Sequence, residues 1–96
     1  MSSIGNPVSS FRQSKRYVNQ QIVNGNQDVI LLFDEGPVDD NKITILGLSV
    51  GYTTGVPALP DDYLVYWDFL PPNAVRILRT GTRGDLTISC TIVEYL

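Results

Sequence analysis

The sequence predicts an all-β domain: a small antiparallel β-sandwich of jelly-roll type with six to eight strands, with a small β-barrel as the alternative. Three observations favour this fold class. Apolar residues nowhere keep the 3.6-residue period of an amphipathic helix, and β-branched residues dominate the apolar set. Strand signals begin near residues 17, 28, 42, 63, 74 and 86, a spacing typical of small sandwiches and barrels. The length of 96 residues fits one domain.

The amino-terminal segment differs from the rest of the chain. Residues 1–15 are rich in Ser, Asn and Gln and show no apolar period, so we expect an extended arm, followed by the sandwich domain over residues 16–96. Three basic residues, Arg12, Lys15 and Arg16, lie at the end of this arm. Because the arm contains no predicted core strand, deleting residues 2–14 is expected to leave the fold nearly as stable.

Three strands are predicted in the first half of the chain. Residues 17–23 form a weak strand that ends at Asn24, the first residue of an Asn-Gly hairpin signal. Val29–Phe33 is apolar at every position, which predicts a strand covered on both faces. Residues 42–52 form the third strand, and its apolar residues change face near Gly47, which predicts a bend or bulge there.

Three more strands are predicted in the second half. They cover residues 63–70, 74–80 and 86–92, and the last has the cleanest alternation of apolar and polar residues in the sequence. Cys90 lies on the apolar side of that strand, so we expect a buried, reduced thiol. Arg83-Gly84-Asp85 matches the tripeptide that integrins bind, but it is also an ordinary hairpin composition, and we interpret it as a turn.

Composition argues against several classes of function. The chain has no histidine, one cysteine and a net charge of −3, which disfavours histidine-based catalysis, disulfide scaffolds and nucleic-acid binding. The acidic loops match no calcium-loop spacing, and no apolar run is long enough to cross a membrane. We therefore expect a protein that is not an enzyme, with no cofactor, metal, nucleic-acid or membrane partner.

The predicted strand at 63–70 has an excess of large apolar side chains. They fall on both faces of the strand, although a small sandwich has only one core to bury them in. A surplus of this kind usually marks a protein–protein contact, where Tyr and Trp are favoured. Four residues are therefore predicted to form subunit contacts: Tyr63, Tyr66, Trp67 and Phe69.

Three segments resemble small structural proteins of tailed bacteriophages. They are the start of the chain, with Gly5, Pro7-Val-Ser and Phe11-Arg-Gln-Ser14, the stretch Ile45–Tyr52, and the end Leu86–Leu96 with its Thr/Ser alternation before Val-Glu-Tyr. The resemblance implies a capsid decoration or cement protein on the virion surface, made in the host cytoplasm. Its partners would be the major capsid protein and itself, as a trimer or dimer. Arg12, Lys15 and Arg16 would then contact the capsid.

Other functions remain open at this point. The chain could be a neck or tail component of the phage, or a subunit of a larger host complex. It could also be a carbohydrate-binding β-module that uses exposed aromatic residues as a sugar platform, namely Tyr52, Tyr63, Tyr66 and Trp67.

Overall fold

Six strands form two three-stranded antiparallel sheets in the computed structural model, which describes residues 11–53 and 59–96. In chain order the strands are β1 (Phe11–Ile22), β2 (Asp28–Leu32), β3 (Ile43–Thr53), β4 (Tyr66–Leu70), β5 (Ala74–Leu78) and β6 (Asp85–Tyr95). A short 3-10 turn, Asp40–Lys42, precedes β3, and a four-residue helix, α1 (Pro60–Tyr63), precedes β4. Residues 1–10 of the predicted arm and residues 54–58 of the loop after β3 lie outside the described residues.

The strand order confirms the predicted fold class. The first sheet has the order β1-β6-β3 and the second has the order β2-β5-β4. The first strand pairs with the last, β1 with β6, and the second pairs with the last but one, β2 with β5. This is the pairing of a jelly roll, in which one long hairpin is divided between two sheets. The barrel alternative is wrong, since the two sheets do not join into a closed barrel.

The core lies between the inner faces of the two sheets. The alternation of β6 is confirmed, and its apolar side chains from Leu86 to Ile92 face inward and are buried. They pack with side chains of the second sheet, including Leu31, Val75 and Ile77. Cys90 belongs to this core, as predicted, and burial raises the pKa of its thiol.

The first strand begins earlier than the sequence predicts. β1 starts at Phe11, which lies opposite Tyr95, and Lys15 lies opposite Ile92 in β6. Residues 11–15 are therefore part of a strand of the first sheet, and the boundary predicted at residue 16 is wrong. Polar side chains concealed this strand, because an edge strand in contact with solvent needs only a few buried apolar residues such as Tyr17 and Ile22.

The bulge predicted near Gly47 is confirmed. The register of β3 against β6 shifts between Leu46 and Ser49, and Gly47 has a positive φ of 60°. The extra residue reverses the alternation. Ile45 before the bulge and Val50 after it therefore lie opposite buried β6 residues and share the inner face.

The predicted strand at 63–70 is partly helical. Pro60–Tyr63 forms α1, and the strand itself begins at Tyr66. Proline at the first helical position and two acidic residues in the first turn favour a helix start. The buried carboxylate of Asp62 accepts a hydrogen bond from the backbone N–H of Leu59, which stabilises that turn.

The expectation that Val29–Phe33 is covered on both faces is wrong. Leu31 and Phe33 are buried in the core, whereas Ile30 and Leu32 are more than half exposed. These two exposed residues lie on the outer face of the second sheet, which is described below.

A buried arginine holds one end of the sandwich together. Arg79 is 1% exposed, and its guanidinium donates five hydrogen bonds to backbone carbonyls. The acceptors come from three segments: the β1–β2 turn (Val23 and Asn26), α1 (Asp62), and the turn before β6 (Arg83 and Gly84). All five N–H donors of the side chain are therefore used.

The turn predicted at Arg83-Gly84-Asp85 lies where the connection from β5 enters β6: Gly84 has a positive φ of 77°, and Asp85 is the first residue of β6. The backbone N–H of Gly84 donates to the Asn24 side chain at 2.7 Å, and Asn24 in turn donates its backbone N–H to the Asp85 carboxylate. No helix in the described part of the chain has the length and apolar character needed to cross a membrane.

Candidate interaction surfaces

The outer face of the second sheet is largely apolar. Cross-strand pairing places nine residues on it in three rows: Asp28, Leu78 and Tyr66; Ile30, Arg76 and Asp68; Leu32, Ala74 and Leu70. Six of the nine are apolar or aromatic. Ile30, Leu32 and Tyr66 are each more than half exposed.

An ion-pair group formed by residues of this chain lies at the centre of the outer face. Arg76 donates two hydrogen bonds to Asp68, at 3.1 and 2.7 Å, and its guanidinium also lies 3.9 Å from a carboxylate oxygen of Asp28. The side-chain hydrogen bond holds the pKa of Asp68 below its usual value and raises that of Arg76. Because this bidentate pair is already formed, the charges can be covered by a partner at a lower desolvation cost than unpaired ones.

The four residues predicted as subunit contacts do not share one surface. Tyr66 lies on the outer face of the second sheet, while Trp67 and Phe69 lie opposite core residues on the inner face. Tyr63 is in α1, where its ring packs edge-on against Tyr52 at 6.5 Å between centroids. Tyr63, Tyr66 and Trp67 are all at least 38% exposed, whereas Phe69 packs against the core.

The positions of the exposed aromatic side chains argue against the carbohydrate-binding alternative. The rings of Tyr52 and Tyr63 are inclined at 77° to each other, and Tyr66 and Trp67 lie on opposite faces of β4. These four aromatic side chains therefore do not form one flat platform on which a sugar ring could stack.

Two of the three basic residues predicted to contact the capsid form ion pairs with carboxylates of this chain. Arg12 pairs with Glu94 at 2.5 Å, and Lys15 pairs with Asp34 at 2.7 Å. Arg16 is exposed on the outer face of the first sheet and has no ion pair with any residue that the structure describes. It is therefore the basic residue of this group that is most available to an outside carboxylate.

Glu94 is a buried carboxylate that the sequence analysis did not single out. One oxygen accepts hydrogen bonds from Arg12 and Gln13, and the other accepts one from the backbone N–H of Asp39 at 2.9 Å. Burial raises the pKa of Glu94, but the three hydrogen bonds and the Arg12 charge outweigh that effect and lower it. Glu94 therefore joins β1, β6 and the loop before β3 in its ionised form.

Tyr17 connects the two sheets. Its hydroxyl donates a hydrogen bond to the backbone carbonyl of Leu32, and the Lys15 ammonium lies 5.5 Å from the centre of its ring. Burial, followed by the nearby charges of Asp34 and Cys90, raises the pKa of Tyr17 to about 12. The hydroxyl therefore stays protonated well above neutral pH.

Known proteins offer no guide to the function of these surfaces. No protein-family model matches the chain, and no curated protein or solved structure is significantly similar to it. Over residues 11–53 and 59–96, no group of three or more His, Cys, Asp or Glu side chains is placed to hold a metal ion. Function is therefore inferred from the surfaces themselves.

Proposed function

We propose that this protein is a non-enzymatic virion structural protein, a decoration or cement protein that stabilises a bacteriophage head by binding its capsomers. The observation that carries the proposal is the outer face of the second sheet. That face exposes Ile30, Leu32 and Tyr66 around Arg76, whose charge is already paired with Asp68. A surface of this kind favours association with another protein.

Two further observations support the proposal. Jelly-roll sandwiches recur in viral capsid domains, which is an analogy at the level of the fold. In addition, two segments that carry the resemblance to phage proteins are neighbours in the first sheet, where Phe11 lies opposite Tyr95 and Ser14 lies opposite Val93. The likeness therefore covers adjacent edge and central strands of a single sheet.

The proposed binding to the capsid uses both outer faces of the sandwich. Leu32 and Tyr66 on the second sheet would be covered by one capsomer, and Arg16 on the first sheet would pair with a carboxylate of a neighbouring capsomer. Burial of the apolar side chains is insensitive to salt, whereas an exposed ion pair is screened as the ionic strength rises. Head binding by the wild-type chain should therefore weaken moderately with salt, and this salt dependence should be smaller in Arg16→Ala.

The proposal is tested on heads of the phage that encodes the chain, assembled without it. The wild-type protein should cosediment with these heads and saturate at many copies per particle. Leu32→Glu should reduce the affinity by about tenfold or more, because it places a charge in the apolar part of the contact. Val23→Glu is the matched control, since Val23 is a similarly exposed apolar residue in the β1–β2 turn, outside both proposed contacts.

Three outcomes would contradict the proposal. The wild-type chain could fail to bind the heads, or both glutamate variants could bind as tightly as the wild type. Alternatively, labelled protein could be found only at the neck or tail of the virion, which would favour the neck or tail function instead.

A further inference from the structure

The sandwich is open on the side formed by β3 and β4. Val50 of β3 lies opposite Ile88, and Trp67 of β4 lies opposite Ile77, and both of these partners are fully buried. Val50 and Trp67 therefore point to the core side of their sheets, yet they are 37% and 40% exposed. The edge of the core is in contact with solvent at this side.

The opposite side of the sandwich is closed. β1 and β2 approach each other there, and their inward-facing residues Tyr17 and Leu31 are only 7% and 1% exposed. The hydroxyl of Tyr17 also reaches the backbone of Leu32 across the gap between the sheets. The difference between the two sides shows that the exposure of Val50 and Trp67 is specific to the β3/β4 side.

β3 is an edge strand of the first sheet. Over Ile43–Thr53 it pairs with β6, and its other edge makes no strand pair with any residue that the structure describes. This segment contains no charged residue and no proline, and Leu46 and Leu48 are exposed along it. Edge strands of monomeric proteins are usually short or carry charges or prolines that prevent pairing with another chain. Only the bulge at Gly47 interrupts this one.

An eight-stranded jelly roll would have a further strand at the same place. It has four strands in each sheet, whereas each sheet in the described part of this chain has three. β3 and β4 are the edge strands on the open side. They are the positions at which a fourth strand would extend each sheet.

We infer that a second copy of this chain covers the open side, by antiparallel pairing of the β3 edges of the two copies about a two-fold axis. In such an isologous contact residue i faces residue j of the copy and j faces i, so a charge near the two-fold axis would meet the same charge of the copy. β3 carries none, which makes it compatible with itself, and the net charge of −3 comes from residues elsewhere in the chain. The two first sheets become one six-stranded sheet, and Val50 and Trp67 of both copies lose their contact with solvent.

This inference goes beyond the proposed capsid role and is tested on the purified chain alone, so that either one can fail independently. Sedimentation equilibrium at micromolar concentrations should show a dimer that dissociates on dilution. Trp67 is the only tryptophan. Its fluorescence emission should therefore shift to longer wavelength over the same dilution range, as Trp67 becomes exposed again.

Lysine variants locate the contact. Leu48→Lys and Ser49→Lys should each weaken the dimer by about tenfold or more, because the substitution occurs twice in an isologous contact and places like charges together. Ser49 is an exposed polar residue, so Ser49→Lys removes no core packing. Leu32→Lys is the matched control on the second sheet and should dimerise as the wild type does.

The inference is overturned by any of three results. The wild-type chain could stay monomeric with a Trp67 emission that does not depend on concentration. It could form a trimer, which a two-fold pairing of β3 edges cannot produce. Finally, Leu32→Lys could abolish the dimer while both β3 variants keep it, which would place the contact on the outer face of the second sheet.

Discussion

At the scale of single residues, Arg79 has the largest predicted effect on stability. Arg79→Lys keeps the charge but has three donors instead of five, so at least two of the five backbone carbonyls lose their partner. We expect a loss of roughly 2–4 kcal/mol in the free energy of unfolding, measured by urea denaturation. Arg83→Lys, at an exposed side chain four residues away, should change it by less than about 0.5 kcal/mol. Equal stability of the two variants would mean that water can replace the guanidinium.

Two tyrosines provide a matched pair of hydroxyl deletions. Tyr52 has a buried hydroxyl with no hydrogen-bond partner in the part of the chain that the structure describes, whereas the Tyr17 hydroxyl donates to Leu32. Tyr52→Phe should therefore leave the free energy of unfolding unchanged or raise it by up to about 1 kcal/mol, and Tyr17→Phe should lower it by about 1 kcal/mol. Thermal and urea unfolding of both variants measure the difference. The opposite order would mean that the Tyr52 hydroxyl has a partner in solution.

Some residue roles were predictable from the sequence and others were not. The burial of Cys90 followed from alternation, because its neighbours two residues away on both sides are apolar. Arg79 and Glu94 could not be found in that way. Their hydrogen-bond partners lie in distant segments of the chain, such as the Val23–Asn26 turn and Arg12, and local patterns carry no information on which segments meet.

At the scale of elements, the position at which β1 begins determines how many amino-terminal residues can be deleted without loss of stability. Deleting residues 2–14 removes the paired residues Phe11–Ser14 and two donors to the buried Glu94 carboxylate. We now expect this deletion to destabilise the fold by roughly 2 kcal/mol or more, since it leaves a buried charge with fewer partners. Differential scanning calorimetry of the truncated and full-length chains measures the effect.

A double variant separates the loss of strand pairing from the loss of the Glu94 donors in that deletion. Arg12→Ala with Gln13→Ala removes the Glu94 donors but leaves the strand in place. If the deletion is no more destabilising than this double variant, the pairing of residues 11–14 contributes little. A truncated chain as stable as the wild type would show instead that residues 11–14 contribute nothing to the free energy of unfolding.

The bounds of the strands and the helix show which sequence patterns were sufficient to predict an element. β6 and the β3 bulge were predicted because regular alternation, and its reversal at Gly47, are visible in the sequence. β1 was predicted too short because most of its side chains are polar and exposed. α1 was missed although Pro60 and the acidic residues after it favour a helix start, since the aromatic residues that follow dominated the pattern.

At the scale of the whole molecule, stability should depend on pH at both extremes. The pKa of Glu94 is lowered in the folded state, so its contribution is present above the pKa of the unfolded chain and is lost as the pH falls through the folded value. The pKa of Tyr17 is raised from 10.0 to about 12, so its contribution is complete below pH 10 and is lost as the pH rises towards 12. The free energy of unfolding should therefore have a plateau between these two regions.

Single substitutions test which residue causes the loss of stability at acid pH and which causes the loss at alkaline pH. Glu94→Gln should flatten the acid limb and Tyr17→Phe the alkaline limb, as measured by urea denaturation at a series of pH values. Asp40→Asn, at an exposed carboxylate, should retain the wild-type profile. An unchanged acid limb in Glu94→Gln would mean that other carboxylates determine the acid sensitivity.

The strand order has a consequence for the synthesis of the protein. β5 and β6 are the central strands of the two sheets and are the last to be made, and no two of the first four strands are hydrogen-bonded neighbours. A nascent chain that has reached the end of β4 therefore has no native strand pair to form. The uncharged β3 segment stays exposed to solvent until its pairing partner, β6, has emerged from the ribosome. We expect nascent chains that end before Asp85 to be protease-sensitive and prone to aggregate, and chains from which β6 has emerged to be protease-resistant, which pulse proteolysis of stalled ribosome–nascent-chain complexes would measure. Early protease resistance would show that the nascent chain forms other strand pairs first.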